Sequence, residues 1–567
     1  VLSDILEDLR GYYEGLPYDF SVIDADILGR AYENFLGHII TGKVMFKEKK
    51  DIGKRKKMGI YYTPQYIVNY IIRNTVREKI KGKKFEEILK IKILDPACGS
   101  GSFLIKAFDI LVEESKISLK KEELTYDEKR KLMLSCIHGV DLDERACEIA
   151  KLNLSLKLVK RGKKLPMFHN NIKNGNSLIN DPKVAGDKAF NWNTQFQEIF
   201  RDGGFDVVIG NPPYLQKEAF SEEEKEYIIN KYKTLKSNIN LVTIFMKKSI
   251  DLLKKDGYHS FIIPKSITFS KGWEINRDLI ITDLINIVDC SKAWKDVLLE
   301  QIIYVIHNGV KKSKYQSFIF EGEKLISLAN IDKSILKELE ILISNTSQEE
   351  LNLIDKIRKK TIFLSKVSKT FSGLPYQKFV KNSGEYPIIG GKEIGRYVLK
   401  GYKGYYTNKS FKDFENKTKI FFQEKIVTQD IIAHITKPKD HIKIMSYLDK
   451  DNLIPVNTLN CTISKNKNFP LNLILALLNS TFISWYAYRF VFNKAIRTMH
   501  FYSYFIGKLI VPEIINKTQE QKITNLVEKM LDLQKQFHNE RILRKEKIEE
   551  IDKEIDQEVY KLYRITK

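Results

Sequence analysis

The sequence predicts an α/β protein: a doubly wound, mainly parallel sheet, then a second domain of α+β character, with helical segments at either end. Three observations carry this. Across residues 58–310 short β runs alternate with helical stretches, and strands separated by helices imply a mainly parallel sheet with helices on both faces. From about residue 320 that rhythm stops, strands shorten, and Tyr, Gly and Asn rise. The chain has 567 residues, more than one hydrophobic core organises.

Taken in order, residues 1–57 read as a helical connector. Ile5, Leu9, Leu28, Ala31, Tyr32, Phe35 and Leu36 recur at helical spacing, and DIGKRKK (51–57) is a basic link. Residues 58–315 hold the alternating domain. KILDPACGSG is strand then turn, SFLIKAFDILVEE helix, IHGVDLD strand then turn, and ERACEIAKLNLSLKLV helix. FDVVIG is strand, NLVTIFMKKSIDLLKKDG helix, and YHSFIIPKS strand. Residues 316–515 form the second domain. Residues 516–567 are a charged helical segment in which Ile548, Ile551, Ile555, Val559 and Leu562 keep a three–four spacing, as in a helix docked on its own protein.

The 95 Lys+Arg against 72 Asp+Glu leave a net charge of +23, a field that favours nucleic acid or an anionic membrane surface. The membrane reading is the weaker. The longest apolar stretch, 471–492, is interrupted by Asn479, Ser480, Thr481 and Arg489, so a buried helix is expected there and no membrane partner. The opening VLSDILEDLR is acidic and amphipathic, unlike a signal peptide. The five cysteines form no CxxC pair, which fits a reducing, cytoplasmic setting, and no metal site is expected.

Candidate chemistry begins at Asp95-Pro96-Ala97-Cys98-Gly99-Ser100-Gly101, which follows a strand and opens a helix. Small residues let the backbone approach a ligand, and the helix N-terminus supplies free N–H groups. Any doubly wound protein can hold such a turn. Asp141 ends the next strand, where an acid accepts hydrogen bonds from ribose hydroxyls; Asp143 reads as a solvated loop acid. Gly175-Asn176-Ser177-Leu178 falls where a third strand should end, and Asn176 is either a turn residue or a reader of an adenine amino group. Upstream, Thr63 fits an N-cap and Pro64 the first position of the helix QYIVNYII; the same helix end suits a carboxylate. Finally, the strand FDVVIG breaks at Gly210 into Asn211, Pro212, Pro213 and Tyr214.

The ordered set YYTP (61–64), DPACGSG (95–101), GVDLD (139–143), GNSL (175–178) and NPPY (211–214) resembles the amino-methyltransferases of DNA, specifically the N6-adenine group with the catalytic region first and the target-recognition domain after. The match spans residues 58–310. YPIIGGKEIGRY (386–397), LALLNSTFISWYAYRF (475–490) and LIVPEI (509–514) resemble the recognition domains of type IIG restriction–modification enzymes and their methylase relatives. YDFSVIDADILGRAYENFLG (18–37) resembles the connector that follows the nuclease in those enzymes. The resemblance implies a Rossmann-like methyltransferase sheet, S-adenosylmethionine as cofactor and double-stranded DNA as substrate. It implies that Asp95, Pro96, Ala97, Cys98, Gly99 and Gly101 wrap the methionine part of the cofactor, that Thr63 touches that end, that Asp141 holds the ribose and that Asn176 reads the cofactor's adenine.

It also gives NPPY a chemical sense. The amino nitrogen of adenine is a poor nucleophile because its lone pair is delocalised into the ring. Two acceptors on its N–H groups would draw it toward tetrahedral geometry. Asn211 offers a side-chain carbonyl and Pro212 a main-chain carbonyl; the ring of Pro212 fixes its own φ and Pro213 restricts Pro212 to extended geometry, so both acceptors are held before the base arrives. A base in a duplex must be flipped out to react, and Tyr214 would replace the lost stacking, worth roughly 1–3 kcal/mol per base. By analogy with the family the opposite face comes from an aromatic before a later strand. Trp294 is the candidate, where the family more commonly has Phe; Phe269 and Trp273 compete with it.

In the second domain Lys403, Arg489, Lys494 and Arg497 are the candidate DNA contacts, set among Tyr402, Tyr405, Tyr406 and His500. Within residues 1–57, Glu48-Lys49-Lys50 has the ExK spacing of a nuclease, with Asp24 and Asp26 upstream, but the segment is too short for that core. The chain therefore reads as a stand-alone methylase or as part of a longer protein, with a nuclease upstream or acting in trans. Three alternatives stand beside the main reading. Cytosine-N4 transfer is disfavoured by NPPY. A specificity or assembly subunit with an inactive core is disfavoured by Asp95, Asp141 and Asn211. An RNA or protein methylase is disfavoured by the long second domain.

Overall fold

The computed structural model describes residues 63–160, 163, 166, 168–214, 220–232, 240–294, 299–536 and 543–565, and the strands Tyr12–Tyr13 and Leu16–Pro17. Those two strands form an antiparallel pair where a helix was expected; Pro17 lacks the N–H that a helix interior needs. The remainder of the expected connector, the 18–37 resemblance, Asp24, Asp26, the Glu48–Lys50 triplet, Tyr61 and Tyr62 lie outside the described residues. The chain divides into two compact units. One comprises Val1–Ile267, Gly272–Tyr315 and Phe320–Leu325; the other comprises Thr268–Lys271, Gln316–Ile319 and Ile326–Lys567.

The first unit runs α1 (Gln65–Ile72), β1 (Ile93–Asp95), α2 (Ser102–Leu119), β2 (Ile137–Asp141), α3 (Glu144–Leu156), β3 (Ile172–Asn174), β4 (Phe205–Gly210), α4 (Leu241–Asp251), β5 (Leu253–Pro264), α5 (Glu274–Ile281), β6 (Leu284–Asp289) and β7 (Gln301–His307). These strands are ordered 3-2-1-4-5-7-6 in the sheet. Strands β1 to β5 pair in parallel. Strand β7 is antiparallel to both β5 and β6 and lies between them. The parallel rhythm was legible in the sequence; the reversed strand was not, although the stretch between Asp289 and Gln301 is too short for the crossover that parallel strands need. Ile93, Leu94, Val207, Val208, Ile209, Ile262 and Ile263 are fully buried, as strands covered on both faces require. The order reverses between β1 and β4, and ligands of open α/β sheets bind at the carboxyl ends beside such a switch point.

The second unit holds an antiparallel sheet of β8 (Ser368–Ser372), β11 (Lys425–Gln429), β12 (Ser446–Asp449) and β14 (Leu459–Ser464) in the order β8-β14-β11-β12. A smaller sheet joins β9 (Tyr386–Ile389), β10 (Gly404–Tyr406) and β13 (Ile454–Pro455). Ile388, Ile389, Tyr406, Phe414, Phe421, Val427, Ile454 and Leu459 from both sheets and their connections form one core cluster. Lys425 and Asp449, directly opposite in register, make a fully buried ion pair there. A one-residue slip would separate these charges, so the pair specifies the register.

The apolar run at 471–492 is not one span. It breaks at Ser480 into α6 (Leu471–Asn479) and α7 (Thr481–Tyr486), which continues as a π-helical turn, with a bend of 55°. Ser480 Oγ accepts from Ile483 N and so starts the second helix. Asn479 exchanges two hydrogen bonds with the backbone of Ser446. Among the described residues no single helix is long and apolar enough to cross a membrane. The closing helices, α8 (Lys517–Gln536) and α9 (Leu543–Leu562), belong to this same unit. Arg396 forks onto Asp552 of α9 with two bonds of 2.7 Å, a planar bidentate pairing, and also donates to Asn479 O at 2.6 Å. Asp556 accepts from both the backbone and the hydroxyl of Thr481, and Tyr563 OH donates to Ile510 O.

Candidate active site

Three βα turns meet at the carboxyl edge of the first unit. After β1, Gly99 (φ 50°) and Gly101 (φ 87°) turn the chain into α2 in the left-handed region. A Cβ at Gly101 would lie 3.2 Å from Ala150 Cβ, so this glycine also lets α2 approach α3. The turn is braced from behind. Cys98 N donates to Val140 O, Asn153 Nδ2 to Ser100 O and Ser177 Oγ to Pro96 O, the last at 2.6 Å. Asn153 and Ser177 were assigned no role from sequence. Asn153 falls three and seven residues after Ala150 and Ala146, so a polar residue on the helix's apolar face was the available signal.

Two acids line this edge, Asp95 buried and Asp141 half-buried. Asp141 Oδ2 accepts from Gly99 N at 2.8 Å and Oδ1 from Asp143 N at 2.9 Å, so it ties the second turn to the first. Burial holds its carboxyl above the usual range despite these bonds. Asp95 is 1% exposed. Burial raises its pKa to about 8; the Ala97 N–H opposes the rise and the neighbouring Asp141 adds to it. Cys98 is raised as well, first by its hydrogen bond with Cys147 and then by burial. Asn176 Oδ1 accepts from Leu178 N and Ile179 N, which makes it a turn-forming residue while its amide nitrogen remains available for other contacts.

The NPPY turn stands beside the first. A Cβ on Gly210 (φ 152°) would lie 2.6 Å from Asp95 Oδ1, so only glycine permits this approach of β4 to the first turn. Asn211 Nδ2 donates to Thr63 Oγ1 at 3.2 Å. Its Oδ1 is buried and has no hydrogen-bond partner. Thr63 does not cap the following helix as expected. The N-cap is Pro64, without a side-chain bond, because helical backbone begins one residue later at Gln65; the Thr63 hydroxyl is turned to Asn211 instead. Pro212 is buried and Tyr214 half-buried. Tyr214 OH donates to Ile262 O of β5 at 2.9 Å, which fixes the ring's direction.

Of the three aromatics weighed for the far side of the site, Phe269 is packed against Phe492 and Phe505 in the second unit. Trp273 is buried at the start of α5. Trp294 is half-buried in the loop between β6 and β7. In the second unit, Lys403 is exposed and Arg497 half-buried. Arg489 and Lys494 both bind Glu350, at 2.5 and 2.9 Å. Burial would raise the Glu350 carboxyl, but Lys494 and Arg489 outweigh it and hold it below the usual range.

A switch-point cradle with one buried and one half-buried acid, followed by a proline-bearing turn with an unpaired amide oxygen, is the edge on which an α/β methyltransferase places its site. Residues 135–294 match the Eco57I restriction-modification methylase family, residues 90–164 an RMKL-like methyltransferase domain, and residues 386–510 the TaqI-like C-terminal specificity domain. The chain thus carries a region similar to the Eco57I restriction-modification methylases, followed by one similar to the TaqI-like specificity domain. It is 30% identical over 469 residues to the type II restriction enzyme and methyltransferase RM.Eco57I of Escherichia coli, covering 76% of this chain and 44% of that protein. It is 24% identical over 668 residues to the putative type II restriction enzyme and methyltransferase RM.MjaORFECS2P of Methanocaldococcus jannaschii, covering 82% and 54%. The chain therefore spans about half the length of these curated relatives. Among solved structures, the type IIL restriction-modification enzyme MmeI in complex with DNA shares the fold, with TM-score 0.59 and 15% identity over 98% of this chain and 81% of that one.

Proposed function

We propose that the chain is a site-specific adenine-N6 methyltransferase of double-stranded DNA, of a restriction–modification system, using S-adenosylmethionine. The observation that carries this reading is the buried, unpartnered Oδ1 of Asn211 at the carboxyl end of β4. A buried carbonyl without a donor costs free energy, so such an atom is a place for a ligand N–H. The cofactor's site fits the same edge: left-handed glycines open the first turn, Asp141 stands at the tip of β2, and Asp95 is a buried acid suited to face a cation. Bound there, the cofactor supplies an electrophilic methyl on a sulfonium. Asp141 would hold its ribose, Asp95 through Gly101 with Thr63 its methionine end, and Asn176 its adenine ring.

Asn211 Oδ1 and Pro212 O would accept the two amino hydrogens of the flipped adenine and favour its tetrahedral form. Thr63 holds the Asn211 amide in the orientation that presents Oδ1. Tyr214 and Trp294 would stack on the two faces of the base. No strong base is needed, because the amino proton becomes acidic as positive charge develops on the nitrogen. Lys403 and Arg497 would meet phosphates, and Arg489 and Lys494 would do so by exchanging Glu350 for DNA. A nuclease, upstream or in trans, would complete the system.

The test is methyl transfer to genomic DNA followed by sequencing of the modified bases. N6-methyladenine within one fixed sequence is expected; N4-methylcytosine, or no modification, would overturn the reading. Asn211→Ala should lower the rate about 10²–10³-fold, the usual effect of deleting one preorganised acceptor or donor, with cofactor affinity unchanged.

A further inference from the structure

We propose that Gln301 and Lys265 are positioning residues for the target base: they clamp residues 290–293 against 299–301 and thereby hold Trp294 at the site. The inference rests on the functional reading above and adds to it the residues that shape the base pocket.

The carboxyl ends of β5 and β6 and the start of β7 all lie on the edge that bears the NPPY turn, because β5 and β6 run with β4 and β7 runs against them. Lys265 follows β5 directly. Its Nζ lies 2.7 Å from Asp289, the last residue of β6, and 3.1 Å from Glu300, the residue before β7. Its backbone N donates to Glu300 O. The three side chains are 2%, 0% and 4% exposed. Burial would lower the Lys265 pKa, but the two carboxylates outweigh it and hold the group charged. Burying ions is costly, and packed apolar residues commonly stabilise a fold as well as a buried ion cluster does. What the cluster supplies distinctively is a fixed distance between the two ends of one loop.

Gln301 completes the clamp. It is fully buried. Its Oε1 accepts from Ala293 N at 3.0 Å, and its Nε2 donates to Leu299 O at 2.5 Å, so one amide bridges the outgoing and returning arms of the loop. Backbone bonds from Gln301 N to Ser291 O and from Cys290 N to Gln301 O close the foot, while Ser291 N donates to Asp289 Oδ1. Ser291 itself is left-handed (φ 50°), which turns the chain off the strand. Ala293, the residue before Trp294, is thus pinned by a side chain reaching out of the sheet. Tyr214 hangs from Ile262 of β5 and the Trp294 loop from Lys265 at the end of β5, so both aromatic candidates are referenced to one strand.

The experiment compares wild type with Gln301→Met, which keeps volume and removes both amide bonds, with Trp294→Ala, and with the double variant. Four quantities are read: thermal midpoint, calorimetric affinity for S-adenosylmethionine, fluorescence of 2-aminopurine at the target position in duplex DNA, and single-turnover methyl transfer. Gln301→Met should keep cofactor affinity, because the Asp141 side of the edge is untouched. It should lose flipped-base fluorescence and about 10–100-fold in rate, the scale of a displaced positioning contact. The double variant should lose little beyond Trp294→Ala alone, since residues that act through one another are not additive. Lys265→Met should follow Gln301→Met; if it does not fold, the Gln301–Trp294 cycle decides. Wild-type fluorescence and rate in Gln301→Met, or additive losses in the double variant, would overturn the inference while the functional reading stands. A wild-type protein that neither flips nor methylates would overturn both.

Discussion

Replacing Asp95 by Asn should remove most of a proton release that accompanies cofactor binding. Asp95 lies at the end of β1, 1% exposed, with Ala97 N on one oxygen and Gly210 against the same side. Burial raises its pKa to about 8. At pH 7 such a group holds about 0.9 proton. A cationic ligand beside it draws the pKa back toward the ordinary carboxylate range near ~4. Binding should then release about 0.9 proton at pH 7, falling to about 0.1 at pH 9, where the free protein is already ionised. Calorimetric titration with S-adenosylmethionine in buffers of different ionisation enthalpy counts these protons. Asp141 is also raised by burial, so Asp95→Asn is the variant that separates the two. Stability carries the opposite signature. A carboxyl whose folded pKa lies above its unfolded value contributes stability that is complete below about pH 4 and is lost as pH rises through about 8, up to about 5 kcal/mol for a four-unit shift. The unliganded wild type should therefore lose thermal stability between pH 5 and 8, and Asp95→Asn should lose less. A binding enthalpy independent of buffer at pH 7, or equal proton release from Asp95→Asn, would refute the reasoning.

Two other outcomes follow from the geometry. Gly210→Ala places a Cβ 2.6 Å from Asp95 Oδ1 at a backbone angle side chains rarely adopt; it should cost about 1–3 kcal/mol of stability and weaken cofactor binding, read by thermal unfolding and calorimetry, and Gly210→Ala in an Asp95→Ser background should recover part of the loss. Duplex DNA binding by this +23 chain should weaken steeply with salt, with log K falling by about 0.9 per phosphate contact for each tenfold rise; a flat response, measured by fluorescence anisotropy, would point to a different partner.

The parts of this molecule that could be read from sequence are those whose chemistry is local. DPACGSG and NPPY each contain their own turn-formers and polar groups within a few residues, so their place after β1 and β4 followed from the strand–turn rhythm. The apolar run at 471–492 read as buried helix rather than span because Asn479, Ser480, Thr481 and Arg489 interrupt it; that it breaks into two helices at Ser480 was not read. What remained hidden depends on partners far along the chain. Nothing near Thr63 announces Asn211, nothing near Arg489 or Lys494 announces Glu350, and Gln301 looks like an ordinary strand residue until the loop returns to it. The reversal of β7 was hidden for the same reason: strand direction is set by how the loop before it folds back, and residue pattern is blind to that.

The clasp between Arg396 and Asp552, seconded by Thr481 on Asp556, bears on how such proteins can be given new sequence preferences. The Arg396 segment and α9 are thereby joined through a guanidinium–carboxylate pair whose partners lie more than a hundred and fifty positions apart. A segment cut at residue 515 would leave the guanidinium of Arg396 without its carboxylate, keeping only Asn479 O. A graft that carries residues through 562 moves the lock together with its key, and a hybrid between relatives would be sound only where both halves of that clasp come from the same parent.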